Sequence, residues 1–198
     1  MWPKGGLWST FCAHETRINV DSLSATQDVG RAVTLALAAG TSSNCGVVVV
    51  CIGSDRSTGD SLGPIIGTLL SQRRLPNTHI YGTLRDPVHA VNLHETAALL
   101  SRTHAAAKVV AVDACLGKSE SIGLITVGRG SLRPGAGVNK DLPPIGDIYV
   151  TGVVNVGGYM EYFVLQNTRL YLVYRLAETI AAGLSQALLA TDCDRIRA

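Results

Sequence analysis

The chain alternates short apolar runs with longer segments of helical periodicity. The run Val47-Val48-Val49-Val50-Cys51-Ile52 is continuous and β-branched, and Lys108-Val109-Val110-Ala111-Val112-Asp113 is built the same way. Both are too short for helices and read as parallel strands buried on two faces. His79–Leu84, Ile122–Val127 and Ile148–Val154 read as further strands. Between them lie helical stretches. Val29, Ala32, Val33, Ala36 and Leu37 share one face of a helix over Val29–Ala39, with Asp28 as its candidate cap. Gly63-Pro64 opens a second helix, Pro64–Gln72, with proline at the first helical position. A third covers Asn92–His104. A last helical region covers Tyr159–Leu189, where Leu172, Val173, Leu176, Ala177, Ile180, Leu184 and Leu188 form a stripe. The order is α-β-α-β-α-β-β-β-α. It predicts an α/β fold of three layers (α/β/α) around a mainly parallel, doubly wound sheet. Residues 1–27, irregular and polar with Trp2, Trp8 and Phe11 scattered, read as an N-terminal arm; 28–198 read as a single α/β domain. Residues 128–147 hold five glycines and three prolines, too broken for regular structure, and are expected to form a mobile loop over the site.

At 198 residues the chain is long enough for a substantial core. It is 46% hydrophobic, 16% charged and 5% aromatic, a composition that excludes a disordered chain. The formal charge of +2 lacks the basic footprint of a nucleic-acid binder, so no nucleic acid is expected as a partner. No apolar run approaches the ~20 residues of a membrane span. The N-terminus carries Lys4 without the apolar segment of a signal peptide, so a soluble, cytoplasmic protein is expected. The five cysteines, at 12, 45, 51, 115 and 193, have no metal-ligand spacing and read as reduced thiols.

The chemistry gathers on two aspartates, each beyond an apolar run. Asp60 lies in Gly53-Ser54-Asp55-Arg56-Ser57-Thr58-Gly59-Asp60-Ser61-Leu62-Gly63-Pro64; Asp113 ends the second run. In an open α/β sheet, ligands collect outside the carboxyl ends of the strands, so the two are expected in one crevice. Either alone reads equally well as a helix cap or turn residue. As a pair they carry a physical logic. Two close carboxylates cannot both ionise cheaply, so one keeps a proton. The ionised partner can activate water while the protonated one donates to a carbonyl oxygen or leaving group. Ser54 and Asp55, on the same loop, and Asn155, just past a strand, are candidate substrate-binding residues; Asn155 reads as well as a turn residue.

Other motifs are weaker. The glycine-rich loop lacks the order of a phosphate-binding P-loop, and its aspartates would repel phosphate. Cys115 would share a side with Asp113 if the strand continued, and a nucleophile pair with His89 or His94 would need that placement. His94-Glu95 starts a zinc-protease HExxH, but Ala98 stands where the second histidine belongs. No GxSxG elbow is present.

The segment Gly53–Pro64 with Val112-Asp113-Ala114, joined by Thr151-Gly152-Val153-Val154-Asn155-Val156-Gly157-Gly158, resembles the spore germination protease superfamily. Within it the closer resemblance is to the YyaC-type sporulation proteins of spore-forming bacteria, over residues 28 to 190. The resemblance implies a phosphorylase/hydrolase-like fold shared with hydrogenase maturation endopeptidases. It implies Asp60 and Asp113 as catalytic residues acting without a metal, and a peptide or small spore protein as substrate. It places the protein in the sporulating cell, forespore or spore core. In the hydrogenase maturation enzymes, carboxylates at these places bind nickel with a later histidine; this chain has none after His104, so no metal or other cofactor is expected. Two functions follow: a peptidase working through an aspartate pair, or a non-catalytic binding or regulatory protein on the same fold. A homo-oligomer is compatible with the apolar last helix.

Overall fold

The computed structural model describes residues 15–39, 46–134 and 142–196, with side chains to residue 191. Six strands form one sheet: β1 (Thr16–Asn19), β2 (Val47–Cys51), β3 (Thr78–Tyr81), β4 (Lys108–Gly117), β5 (Leu124–Arg129) and β6 (Ile148–Val156). Their spatial order is β1-β5-β6-β4-β2-β3. The inner run β6-β4-β2-β3 is parallel throughout, and β5 and β1 add an antiparallel edge beyond β6. The helices are α1 (Ala25–Ala38), α2 (Leu62–Ser71), α3 (Leu93–Thr103), α4 (Glu161–Gln166) and α5 (Leu170–Ile196).

Strand alternation divides the core in two. Val47, Val49 and Cys51 of β2, with Val110 and Val112 of β4, pack against buried residues of α1, α2 and α5. Val48, Val50, Ile52 and Ala111 face the other way, toward Leu93 and Leu100 of α3. Every residue of β2 is buried, which is why its sequence shows no polar alternation. The helix faces read from periodicity are the ones that pack: Val29, Ala32, Val33, Ala36 and Leu37 of α1, and Val173, Leu176, Ala177, Ile180, Leu184 and Leu188 of α5. The three-layer, mainly parallel α/β architecture is as expected. No helix among the described residues is long and apolar enough to cross a membrane.

Several boundaries differ from expectation. Residues 16–19, read as part of an irregular arm, form β1, and α1 begins at Ala25; residues 1–14 lie outside the described ones. Only Ile18 of β1 points inward, so its alternation is too brief to notice. Asp28 is not the cap of α1 but sits in its first turn, accepting from the Ser24 hydroxyl at 2.6 Å. Pro64 is the third residue of α2, still within the turn whose N–H groups need no helical partner. The expected 159–189 helix breaks at 167–169. There the Asn167 and Thr168 side chains donate back to the carbonyls of Phe163 and Val164, at 2.8 Å each, and compete with helix propagation. The flanks of the 128–147 stretch are tied down: β5 runs to Arg129, Leu132 bridges Ile145, and Leu132, Leu142 and Ile145 join the core on the α3 face. Its centre, 135–141, lies outside the described residues.

Candidate active site

The chain leaves β2 for β3 on one side and later returns with β4 on the other side of β2. The crevice between the carboxyl ends of β2 and β4 is therefore the topological switch point, where such sheets bind ligands. The β2–β4 ladder ends at Cys51↔Val112. Strand β4 does not stop there. It continues to Gly117 because β6 runs beside it, pairing Asp113 with Thr151 and Ala114 with Gly152. Asp113 is thus not at a strand end, as expected, but is the first residue of β4 that has outrun β2. It sits on the crevice wall, held by a strand on its other side.

The loop after β2 fills the space that β2 vacates. Gly53, at φ +143°, lets the loop fold back on itself: a Cβ there would lie 2.0 Å from the Asp60 carbonyl oxygen. The Ser54 N–H donates to that carbonyl at 3.1 Å, and the Gly53 N–H donates to Val88 at 2.8 Å. Residues 59–61 form a single 3₁₀ turn carrying Asp60, which runs directly into α2. Gly63 brings the start of α2 against Ile52, whose carbonyl oxygen would lie 2.0 Å from an added Cβ. These close approaches fix Asp60 opposite β4.

Asp113 is buried, 8% exposed, and its carboxylate accepts from the Ala114 N–H at 2.8 Å. Burial first, and the charge of Asp60 second, hold its carboxyl well above the ordinary carboxylate range; the Ala114 hydrogen bond opposes them. The structure therefore brings the two predicted catalytic aspartates within electrostatic reach of each other.

The other predicted site residues are scattered. Ser54 is half-buried and its Oγ accepts from the Arg56 N–H at 3.2 Å; Asp55 is exposed at the loop tip. Asn155 is occupied structurally. Its Nδ2 donates to the Val164 carbonyl at 3.3 Å and the Thr168 hydroxyl at 3.1 Å, anchoring the α4–α5 corner, while its Oδ1 accepts from the Val156 N–H. Two further groups belong to the site. Because β4 continues, Cys115 lies on the Asp113 side, with its thiol hydrogen-bonded to Thr151. Burial pushes that thiol up to about 11, the Thr151 bond pulling it back and Asp113 adding to the rise, so it is protonated at neutral pH. Among the described residues no histidine acts on it, and the Cys–His nucleophile is set aside. Thr151 had no signal in the sequence beyond its place in the Thr151–Gly158 segment. Ser57 Oγ, in the Asp60 loop, is buried without a hydrogen-bond partner.

A cavity of about 490 Å³ opens beside this loop, at the carboxyl end of β3, lined by Tyr81, Thr83, Arg85, Asp86, His89 and Asn92 among others. The Val88 bond to Gly53 joins its wall to the Asp60 loop. Among the described residues, no three His, Cys, Asp or Glu side chains converge as metal ligands.

The sequence matches a family model described as a protein of unknown function (DUF1256) over residues 18–183. The chain belongs to this family. It is 58% identical over 139 residues to the uncharacterized protein YyaC of Bacillus subtilis (strain 168), covering 70% of this chain and 68% of that protein. In shape it is similar to a NiFe hydrogenase maturation protease, HycI, from Thermococcus kodakarensis KOD1. That likeness has a TM-score of 0.49 and 16% identity, and covers 79% of this chain and 97% of the other. At that level it bears on neither chemistry nor substrate.

Proposed function

We propose that this DUF1256 protein is a peptide hydrolase working through Asp60 and Asp113 on a phosphorylase/hydrolase-like fold. The observation that carries the reading is the buried carboxyl of Asp113 at the switch-point crevice, held above the ordinary carboxylate range by burial and by the charge of Asp60. A structural aspartate is normally paired with a cation or caps a helix. Asp113 does neither, and its raised pKa suits a group that donates a proton near neutral pH.

In this reading Asp60 is ionised and takes a proton from a water, whose oxygen attacks the scissile carbonyl carbon. Asp113 gives its proton to the carbonyl oxygen, forming a neutral tetrahedral diol. On collapse the C–N bond breaks, the amine leaves with the proton from Asp60, and Asp113 recovers its own from the diol. No net proton is consumed, and the pair is ready for another turnover. The protonated Cys115 and Thr151 line the wall without taking part in bond exchange. Their hydrogen bond crosses from β4 to β6 beside Asp113, on strands that the backbone ladder already joins.

The resemblance to germination proteases supports a spore protein as substrate and the sporulating cell or spore core as the place of action. The 58% identity to YyaC supports membership of the YyaC type. The test is cleavage of purified small acid-soluble spore proteins by wild type, Asp60→Asn and Asp113→Asn. Wild type is expected to cut. Each variant is expected to lose about 10²–10⁴-fold in rate, the range of general acid–base catalysis, while keeping its circular dichroism. Full activity in either variant would end the two-carboxylate mechanism. A folded wild type that cuts nothing would favour a non-catalytic binding protein.

A further inference from the structure

The α4–α5 corner exposes apolar surface that the described fold does not cover. Tyr159, Met160, Tyr162, Phe163, Leu170 and Tyr171 are each 52–81% exposed, and all fall within residues 159–171. The corner is held in shape. Asn155 ties it to β6, and Gly59 packs so closely beneath it that an added Cβ would lie 2.8 Å from Leu165. Tyr162 and Phe163 meet edge to face at 6.3 Å, and Arg175 stacks 5.9 Å from the Tyr171 ring. Met160 enters α4 at φ +47°, a left-handed conformation uncommon outside glycine.

We propose that this corner is the interface of a two-fold dimer of the chain. Buried aromatic side chains contribute about 150–250 Å² each, so six large side chains at these exposures present on the order of 700 Å². The largest apolar patch of a typical monomer is about 300–600 Å². A stable interface takes about 800 Å² from each partner, and this corner nearly supplies it. Its composition is that of an interface core: tyrosine, phenylalanine, methionine and leucine, with lysine absent from 159–171. A two-fold contact must be self-complementary. The corner carries one charge of each sign, Glu161 and Arg169, so an antiparallel copy sets each opposite its complement. This inference does not depend on the peptidase reading.

The experiment is sedimentation equilibrium of the full chain and of the variants Phe163→Asp and Tyr171→Asp. It is run at about 50 µM, above the micromolar affinity that is the weak limit for such an area. Wild type is expected to be a dimer. Each variant, placing a charge twice in the apolar contact, is expected to weaken it at least about thirtyfold, the mark of an interface hot spot. Tyr159→Asp, at the most exposed of these positions, guards against a variant that fails to fold. A monomeric wild type would overturn the proposal, as would a dimer that survives all three substitutions.

Discussion

Asp28 and Asp113 are the same residue in opposite surroundings. Asp28 sits at the start of α1, where the Ser24 hydroxyl and the Arg31 guanidinium both donate to it at 2.6 Å. Those bonds hold its carboxyl below the ordinary range, Ser24 contributing most and Arg31 next. Asp113 is buried, receives one backbone N–H and feels the charge of Asp60, and its carboxyl is held above that range. The first arrangement favours the charge and suits a surface helix start. The second disfavours it, which costs stability once the group ionises. In the proposed function the fold accepts that cost at the switch-point crevice for the sake of a proton held on Asp113.

The sharpest way to break the contrast is the cleavage assay above, in which Asp113→Asn is expected to cost about 10²–10⁴-fold while Asp28→Asn costs nothing. The next effect is on stability against pH. Because the folded pKa of Asp113 is raised, the folded state binds the extra proton. Its contribution is fully present below the unfolded value of 3.8 and is lost as pH rises through the folded pKa. Urea unfolding of wild type and Asp113→Asn should therefore diverge with rising pH, the asparagine variant gaining on wild type. Parallel profiles would mean that Asp113 ionises freely. The smallest effect belongs to Asp28, with the opposite sign. Its depressed pKa contributes stability above the unfolded value that disappears as pH falls through the folded one. Asp28→Asn should lower the melting temperature slightly at neutral pH and not at all in strong acid. Because the pair is exposed, added salt should shrink the difference.

The sheet was legible because β2 and β4 are buried on both faces and cannot be mistaken for helices. The carboxylate pair was legible because both aspartates follow those runs. What could not be read was where strands end. β4 outruns its neighbour only because β6 extends beside it, a long-range pairing without local signal, and that extension places Cys115 and Thr151 beside Asp113. β1 was hidden by having one inward residue. The α4–α5 break is made by the Asn167 and Thr168 side chains returning to the preceding turn, and Asn155 of β6 anchors it there through Thr168, a contact between elements that periodicity does not report. Asn155 illustrates the limit of reading a polar residue near a site as a ligand: its amide is committed to the corner that carries the exposed aromatics.

In the proposed function a proton rests on Asp113 because Asp60 beside it carries the charge. Carbon-13 NMR titration of the Asp113 carboxyl, in wild type and in Asp60→Asn, tests it directly. Wild-type Asp113 is expected to titrate well above the ordinary carboxylate range and to move down when Asp60 loses its charge. An Asp113 that titrates near 3.8 in wild type, or that ignores the loss of Asp60, would contradict it.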